Sequence, residues 1–272
     1  MTPLIGKLRG AAALAAFALI IGLLATPQLY LMLAWHRLAS VPPVRRRKAV
    51  ARWQGRWGRR SFAAVRAILG IRTRFTCRGG GPAGIRGPYI VVANHRSTLD
   101  ILVLMAFLGD MGRDDLRWIL KRQLLMAPAV GRSCRETGCG YVTRGGDPGD
   151  VERVRRCAAT ARHDGACVVI FPEGTRFSAP RGGSGFSHVL PPKVGGVLAL
   201  RRELPDYPVL SVTIRWTGGP EGRTALDGEG FVGKTVVAEA EILTDIDDRA
   251  IAAWLDEEWR RKDRLLARAF RA

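Results

Sequence analysis

The sequence predicts an α/β fold, in which a mixed central sheet with flanking helices follows an N-terminal hydrophobic helix or helical hairpin. Two apolar runs rich in β-branched residues, Tyr89–Val92 and Val168–Phe171, have the composition and length of buried strands. Segments that space their apolar residues as helices do lie between and after these runs. The stretch from Gly10 to Trp35 contains no charged residue and provides the hydrophobic N-terminal element.

The N-terminal stretch is long enough for a membrane anchor. About 26 residues would span roughly 39 Å as a helix, whereas the hydrocarbon core of a bilayer is about 30 Å thick. Pro27 would divide the stretch into two shorter helices in the hairpin alternative. A signal peptide is the main rival, because Lys7 and Arg9 precede the apolar run. The length of the run favours the anchor.

The charge of the chain limits its partners. The formal net charge is +19, which indicates an anionic membrane or a nucleic acid. Arginines from Arg45 to Arg60 alternate with Trp53 and Trp57 directly after the apolar stretch, as in interfacial segments on anionic lipid. The positive-inside rule then predicts the inner (cytoplasmic) membrane, with the following domain facing the cytoplasm. A basic arm on nucleic acid is the alternative, but no nucleic-acid motif accompanies it and we expect no such partner.

The remaining pattern predicts three parts. Residues 1–60 form the anchor and the basic interfacial segment, residues 61–244 the main domain, and residues 245–272 an amphipathic C-terminal helix packed on that domain. Five cysteines show no metal-ligand spacing, so we expect no metal site. Further elements are expected at 71–77, 147–162, 194–202, 209–216 and 235–243.

A histidine follows the first predicted strand at once. Asn94 and His95 end the run, and Asp100 comes five residues after the histidine, at the start of a helical pattern. A neutral imidazole is a usable general base near pH 7, and a carboxylate on its other nitrogen fixes the tautomer. Taken alone, this spacing is weak evidence, because a single histidine is more often structural.

A tight turn follows the second predicted strand. Glu173, Gly174, Thr175 and Arg176 come directly after Phe171 and Pro172, at the strand end where open α/β sheets place ligands. An arginine and main-chain N–H groups at such a turn suit a phosphate. The structural alternative is a surface turn with a salt bridge.

Three blocks in this order resemble the glycerolipid acyltransferases. Residues 95–100 match the His-x4-Asp signature of that family, and Phe171–Arg176 reads FPEGTR, as its third block does. Residues 138–144 fit the block between them, and Lys121 stands where a lysine is usual. The resemblance covers roughly residues 85–215.

The resemblance implies an enzyme of phospholipid biosynthesis. It would move a fatty acyl group from a thioester to the free hydroxyl of 1-acylglycerol 3-phosphate and so form phosphatidic acid. It implies His95 as general base, Asp100 as its partner, and Arg144 and Arg176 as phosphate-binding residues. The other implied substrate-binding residues are Asn94, Lys121, Glu173, Gly174 and Thr175. No cofactor is implied beyond the co-substrate, acyl-coenzyme A or acyl carrier protein; the other partner is a membrane lipid.

One departure from the family pattern leaves the acyl-chain preference open, and the function has two alternatives. Ser211 occupies the place of a proline that is associated with the acyl pocket, and a long insertion precedes the segment Leu190–Lys193. The same chemistry on another lysophospholipid or on an amino-lipid acceptor is the first alternative. A non-catalytic membrane or nucleic-acid binding protein is the second, but such a protein has no need of a base with an orienting carboxylate.

Overall fold

The computed structural model describes residues 3–78, 87–143, 147–178, 180, 183–217, 230–244, 246 and 250–271. Its helices are α1 (Pro3–Leu19), α2 (Thr26–Leu38), α3 (Pro43–Leu69), α4 (Asp100–Asp110), α5 (Pro128–Thr137), α6 (Gly149–Asp164), α7 (Val194–Glu203) and α8 (Ile251–Arg271). Its strands are β1 (Arg72–Arg78), β2 (Ile90–Ala93), β3 (Leu116–Lys121), β4 (Gly140–Val142), β5 (Cys167–Ile170), β6 (Val209–Thr217) and β7 (Thr235–Leu243).

The apolar N-terminus forms one continuous helix. A π-helical segment, Ile20–Ala25, joins α1 to α2, and the helical run Leu4–Leu38 is long and apolar enough to cross a membrane. Pro27 does not divide it, because the wider π turn makes room for the proline ring before α2 begins. The hydroxyl of Thr26 donates to the carbonyl of Ile21 at 2.6 Å and helps close this turn.

Helix α3 turns back along the apolar helix and packs against α1, α4 and α5. The basic segment forms its first half, and the second half buries Phe62, Val65 and Leu69 in the main core. The domain boundary predicted at residue 60 therefore falls inside one helix, which connects the apolar N-terminal helix to the α/β domain.

Seven strands form one mixed sheet in the order β1-β7-β6-β2-β5-β3-β4. Neighbouring strands are parallel except β6 and β7, which are antiparallel. Helices α3 and α4 cover one face, where Val91 packs, and α6, α7 and α8 cover the other, where Val92 packs. The predicted α/β fold with a mixed central sheet and flanking helices is confirmed.

The connections diverge between two central strands. The chain leaves β2 through α4 on one face, and it leaves the neighbouring β5 through α7 on the opposite face. Such a divergence opens a crevice at the carboxyl ends of the two strands, where open α/β sheets bind ligands. His95 follows β2 and the FPEGTR turn follows β5, so the fold places both at this crevice.

Candidate active site

His95 and Asp100 form a hydrogen-bonded pair at the end of β2. The imidazole Nδ1 lies 3.1 Å from Oδ2 of Asp100, which is the first residue of α4 and is fully buried. Because a carboxylate only accepts hydrogen bonds, Nδ1 carries the proton and Nε2 keeps its lone pair. The histidine side chain remains 10% exposed. The pair therefore presents a basic nitrogen to the crevice.

The carboxylate of Asp100 is held by its own loop. The main-chain N–H groups of Arg96 and Ser97 donate to Oδ2 at 2.6 and 2.7 Å, and the Ser97 hydroxyl donates to Oδ1 at 2.8 Å. A buried carboxylate needs such donors to replace the water that burial removes. These bonds fix the side chain that orients the imidazole.

The two outer motif blocks meet at His95. The ring of Phe171 stacks on the imidazole, with centroids 4.2 Å apart and planes inclined by 21°. Arg176 at the end of the turn donates from Nη1 to the hydroxyl of Thr98 at 2.5 Å. The fold thus brings the FPEGTR turn onto the His-x4-Asp loop.

Glu173 is buried beneath the turn. Its Oε1 accepts the main-chain N–H of His95 at 2.9 Å and its Oε2 that of Leu190 at 3.0 Å. Burial raises the pKa of this carboxyl to about 8, although the two N–H donors act in the opposite direction. We therefore assign to Glu173 the role of holding the main chain, in contrast to the substrate contact implied by the sequence.

The other implied substrate-binding residues lie at different depths. Gly174 has φ of +71°, the left-handed conformation that the turn requires, and Thr175 is exposed beside it. Lys121 is exposed at the carboxyl end of β3, on the same edge of the sheet as the pair. Arg144 lies outside the described residues.

Asn94 has a structural bond. Its amide nitrogen donates to the carbonyl of Ile214 and its amide oxygen accepts the Ile214 N–H, both at 2.8 Å. The side chain is fully buried. These contacts join the end of β2 to β6 and support a structural role, because both polar groups already bond to the main chain.

Arg96 is a residue of the site that the sequence reasoning missed. Its guanidinium bonds to the carbonyl of His188 and lies 4.6 Å from the ring centroid of Phe177. The Phe177 N–H also donates to the carbonyl of His95 at 2.8 Å. The sequence shows only that Arg96 lies between the histidine and the aspartate. Because the motif leaves this position unspecified, it does not predict where the side chain points.

An apolar cavity of about 290 Å³ begins beside the pair. Thr98 and Leu99, which lie between His95 and Asp100 in the chain, form part of its wall. Helices α1, α3 and α4 supply most of the rest, including Phe17, Trp57, Leu102 and Met105. Such a cavity suits an aliphatic chain.

Ser211 does not belong to this cavity. It lies outside the cavity wall in the described part of the chain, and its hydroxyl donates to Oε1 of Glu258 on α8 at 2.5 Å. Lys262, also on α8, donates to the carbonyl of Val212 at 2.7 Å. The serine thus helps attach α8 to β6.

Within the described residues, no group of three or more metal-ligating side chains is present.

Comparison with known proteins agrees with this arrangement. A family model described as acyltransferase matches residues 74–215, and the chain belongs to that family. The predicted resemblance to glycerolipid acyltransferases is confirmed.

Three relatives show the range of similarity. The chain is 34% identical over 144 residues to 1-acyl-sn-glycerol-3-phosphate acyltransferase alpha of Mus musculus, covering 53% of this chain and 46% of that protein. The human protein of the same name is 33% identical over 147 residues, covering 54% and 47%. The 1-acyl-sn-glycerol-3-phosphate acyltransferase of Helicobacter pylori is 31% identical over 127 residues, covering 46% and 49%. The matches span about half the length of these relatives.

The fold has a counterpart among solved structures. The crystal structure of the 1-acyl-sn-glycerophosphate (LPA) acyltransferase PlsC from Thermotoga maritima superposes with a TM-score of 0.61. The match covers 96% of this chain and 98% of that chain at 22% identity, which shows a common fold.

Proposed function

We propose that this protein transfers a fatty acyl group from an acyl thioester to the free hydroxyl of 1-acylglycerol 3-phosphate, giving phosphatidic acid. The observation that carries the proposal is the His95–Asp100 pair, whose loop forms part of the wall of an apolar cavity and bonds to the arginine of the FPEGTR turn. The acceptor is the one named for the similar acyltransferases of Mus musculus and Helicobacter pylori. The acyl transfer named for these relatives is the reaction that we propose for the His95–Asp100 site.

His95 acts as the general base. Nε2 takes the proton of the acceptor hydroxyl as its oxygen attacks the thioester carbonyl carbon. Asp100 stabilises the imidazolium that forms. The tetrahedral intermediate then collapses, the C–S bond breaks, and the sulfur leaves as a thiol after taking the proton from the imidazolium. The new ester bond and the thiol balance the reaction.

The phosphate of the acceptor binds to the cationic side of the site. Arg176 reaches the loop of the catalytic pair, where its guanidinium is held against Thr98. Lys121 at the same sheet edge and Arg144 complete the proposed set. Paired charge and hydrogen bonds make arginine well suited to a phosphate.

The acyl chain of the thioester occupies the apolar cavity. Burial of methylene groups there stabilises the bound donor by about 0.8 kcal/mol for each CH₂. The cavity wall contains both the loop of the catalytic pair and the N-terminal helix α1. The donor is acyl-coenzyme A or acyl-acyl carrier protein, whose phosphate or acidic groups suit the basic surface.

The membrane supplies the acceptor. The helix Leu4–Leu38 anchors the protein, and the exposed basic residues in the Arg45–Arg60 part of α3 face anionic headgroups of the cytoplasmic leaflet. These residues are Arg45, Lys48, Arg52, Arg56 and Arg60. Met126 is 86% exposed beside the cavity wall residues Leu124 and Val130, which extends the apolar surface at this end. We place the protein in the inner membrane with its α/β domain in the cytoplasm.

An acceptor panel tests this proposal. The detergent-purified full chain is incubated with labelled oleoyl-coenzyme A, or with oleoyl-acyl carrier protein, and with single lysophospholipids or an amino-lipid. Conversion of 1-acylglycerol 3-phosphate is the expected result. Transfer only to a different acceptor would retain the chemistry and correct the substrate. No transfer from either donor would contradict the proposal, and binding to liposomes or DNA would then define a binding protein.

A further inference from the structure

A single carboxylate on the C-terminal helix holds the segment that follows the long insertion. Oδ1 of Asp263 accepts the main-chain N–H groups of Ser187, His188 and Val189 at 3.1, 2.6 and 3.1 Å. Three successive N–H donors directed at one oxygen form a binding nest for an anion. A carboxylate accepts such bonds more strongly than an amide oxygen would, so this side chain fixes the path of the segment.

The same segment contacts the catalytic loop directly and also through the FPEGTR turn. The carbonyl of His188 accepts the Arg96 guanidinium, and the N–H of Leu190 donates to Glu173 at 3.0 Å. The other oxygen of Glu173 accepts the N–H of His95. The main chain of residues 187–190, bonded to Asp263 at one end and to Glu173 at the other, thus connects Asp263 to the main chain of the proposed base.

We propose that Asp263 is a positioning residue of the active site, which holds His95 in place through residues 187–190 and Glu173. This inference rests on the proposed function, because it assigns a role in that reaction. It also explains why the segment after the insertion contacts the C-terminal helix, two features that lie far apart in the sequence.

Attachment of α8 to the domain does not require this carboxylate. Leu255, Trp259 and Leu266 are buried in the core on one face of the helix. Glu258 and Lys262 add polar bonds to β6. Loss of the Asp263 carboxylate should therefore leave the helix in place and release the segment alone.

The test compares three variants of the full chain in detergent. Asp263→Ala removes the acceptor, and Asp263→Asn keeps an amide oxygen at the same place without the charge. Asp256→Ala is the matched control, because Asp256 lies on the same helix and forms an exposed ion pair with Arg260. Turnover of oleoyl-coenzyme A with 1-oleoylglycerol 3-phosphate is measured below the unfolding transition of each variant.

We expect Asp263→Ala to lower kcat by about 10- to 100-fold, the effect of a base displaced by about an ångström, with little change in KM for oleoyl-coenzyme A. Asp263→Asn should be intermediate, and Asp256→Ala should match the wild type. Wild-type kcat in Asp263→Ala, or an equal loss in Asp256→Ala, would overturn the inference.

Amide hydrogen exchange separates this inference from the proposed function. In Asp263→Ala, exchange should accelerate in peptides covering 187–190 and 94–97, while peptides from β6 and α8 stay protected. If the wild type transferred no acyl group, the proposed function would fail, and the exchange data alone would decide whether Asp263 positions His95. Unchanged exchange at residues 94–97 in Asp263→Ala would refute the positioning role of Asp263.

Discussion

Oε1 of Glu173 accepts the main-chain N–H of His95 at 2.9 Å, which joins two sequence blocks that lie 78 residues apart. The bond holds the main chain of the histidine, while Asp100 orients the imidazole through Nδ1. The glutamate of the FPEGTR turn therefore holds the main chain of the proposed base, whereas the arginine of the same turn bonds to Thr98 on the loop of the catalytic pair. Glu173 and Arg176 thus have different roles within one turn.

Replacing the acceptor of Nδ1 should disable the base. In Asp100→Asn the amide can donate to Nδ1, which places the imidazole proton on Nε2 and removes the lone pair that takes the hydroxyl proton. We expect kcat to fall by about 10⁴-fold, as in other histidine–aspartate pairs, with a much smaller change in KM. Steady-state kinetics measure this, with circular dichroism to verify folding. A variant that retains a tenth of the activity would contradict the role of Asp100.

Removing the arginine of the turn should weaken acceptor binding. One charge-assisted hydrogen bond is worth about 1.5–3 kcal/mol, so Arg176→Ala should raise KM for 1-acylglycerol 3-phosphate by about 10- to 100-fold. Arg176→Lys should recover part of the loss. Arg156→Ala is the control, since Arg156 pairs with Glu152 on the exposed face of α6. An unchanged KM would exclude Arg176 from the phosphate site.

The cavity wall should control the length of the acyl chain. A Cβ at Gly58 on α3 would press against Sδ of Met105, and both residues line the cavity. In Gly58→Ala the flexible methionine should move into the cavity, which shifts preference toward shorter acyl chains. Competition among acyl-coenzyme A substrates measures the shift. Alanine favours helix over glycine by about 1 kcal/mol, so loss of folding is not expected.

A matched substitution controls for the added methyl group. Apart from its chain neighbours and its own helix backbone, a Cβ at Gly22 would meet no atom of the described chain within 4 Å, so Gly22→Ala should leave chain preference unchanged. Equal preference in the wild type and Gly58→Ala would show that the acyl chain lies elsewhere.

Burial of Glu173 should make stability depend on pH. Its pKa in the folded protein is about 8, above the value near 4.3 expected for an unfolded glutamate. Between these values the folded state holds a proton that the unfolded state releases, so this group lowers stability as pH rises from about 5 to 8. Urea unfolding in detergent should show a smaller pH slope in Glu173→Gln. An identical slope would mean that the carboxyl is ionised in the fold.

Local sequence patterns were sufficient to predict the strands and the loop that carry the site. The β-branched runs that become β2 and β5, and the strand Thr235–Leu243, follow from composition, because buried strands require it. The spacing of His95 and Asp100 was also informative, because a strand end followed at once by a helix places both side chains on one loop. The short β4, Gly140–Val142, has too few residues to show a period.

Side-chain direction within the site was not available from the sequence. Asn94 bonds to Ile214, a partner 120 residues away, and Asp263 bonds to a segment about 75 residues before it. Glu173 faces inward because the segment ending at Leu190 folds over it. Each of these contacts depends on the packing of a distant element, which no local spacing encodes. The continuous helix through Pro27 likewise depends on a π turn that hydropathy does not indicate.

The central claim, that His95 is the base of an acyl transfer, is tested most directly by one paired measurement. Wild type and His95→Ala are purified in parallel in detergent, and formation of phosphatidic acid from oleoyl-coenzyme A and 1-oleoylglycerol 3-phosphate is followed under saturating conditions. We expect product with the wild type and turnover at the uncatalysed level with His95→Ala, while both chains unfold at similar temperatures. Turnover by folded His95→Ala at the wild-type rate would contradict the claim.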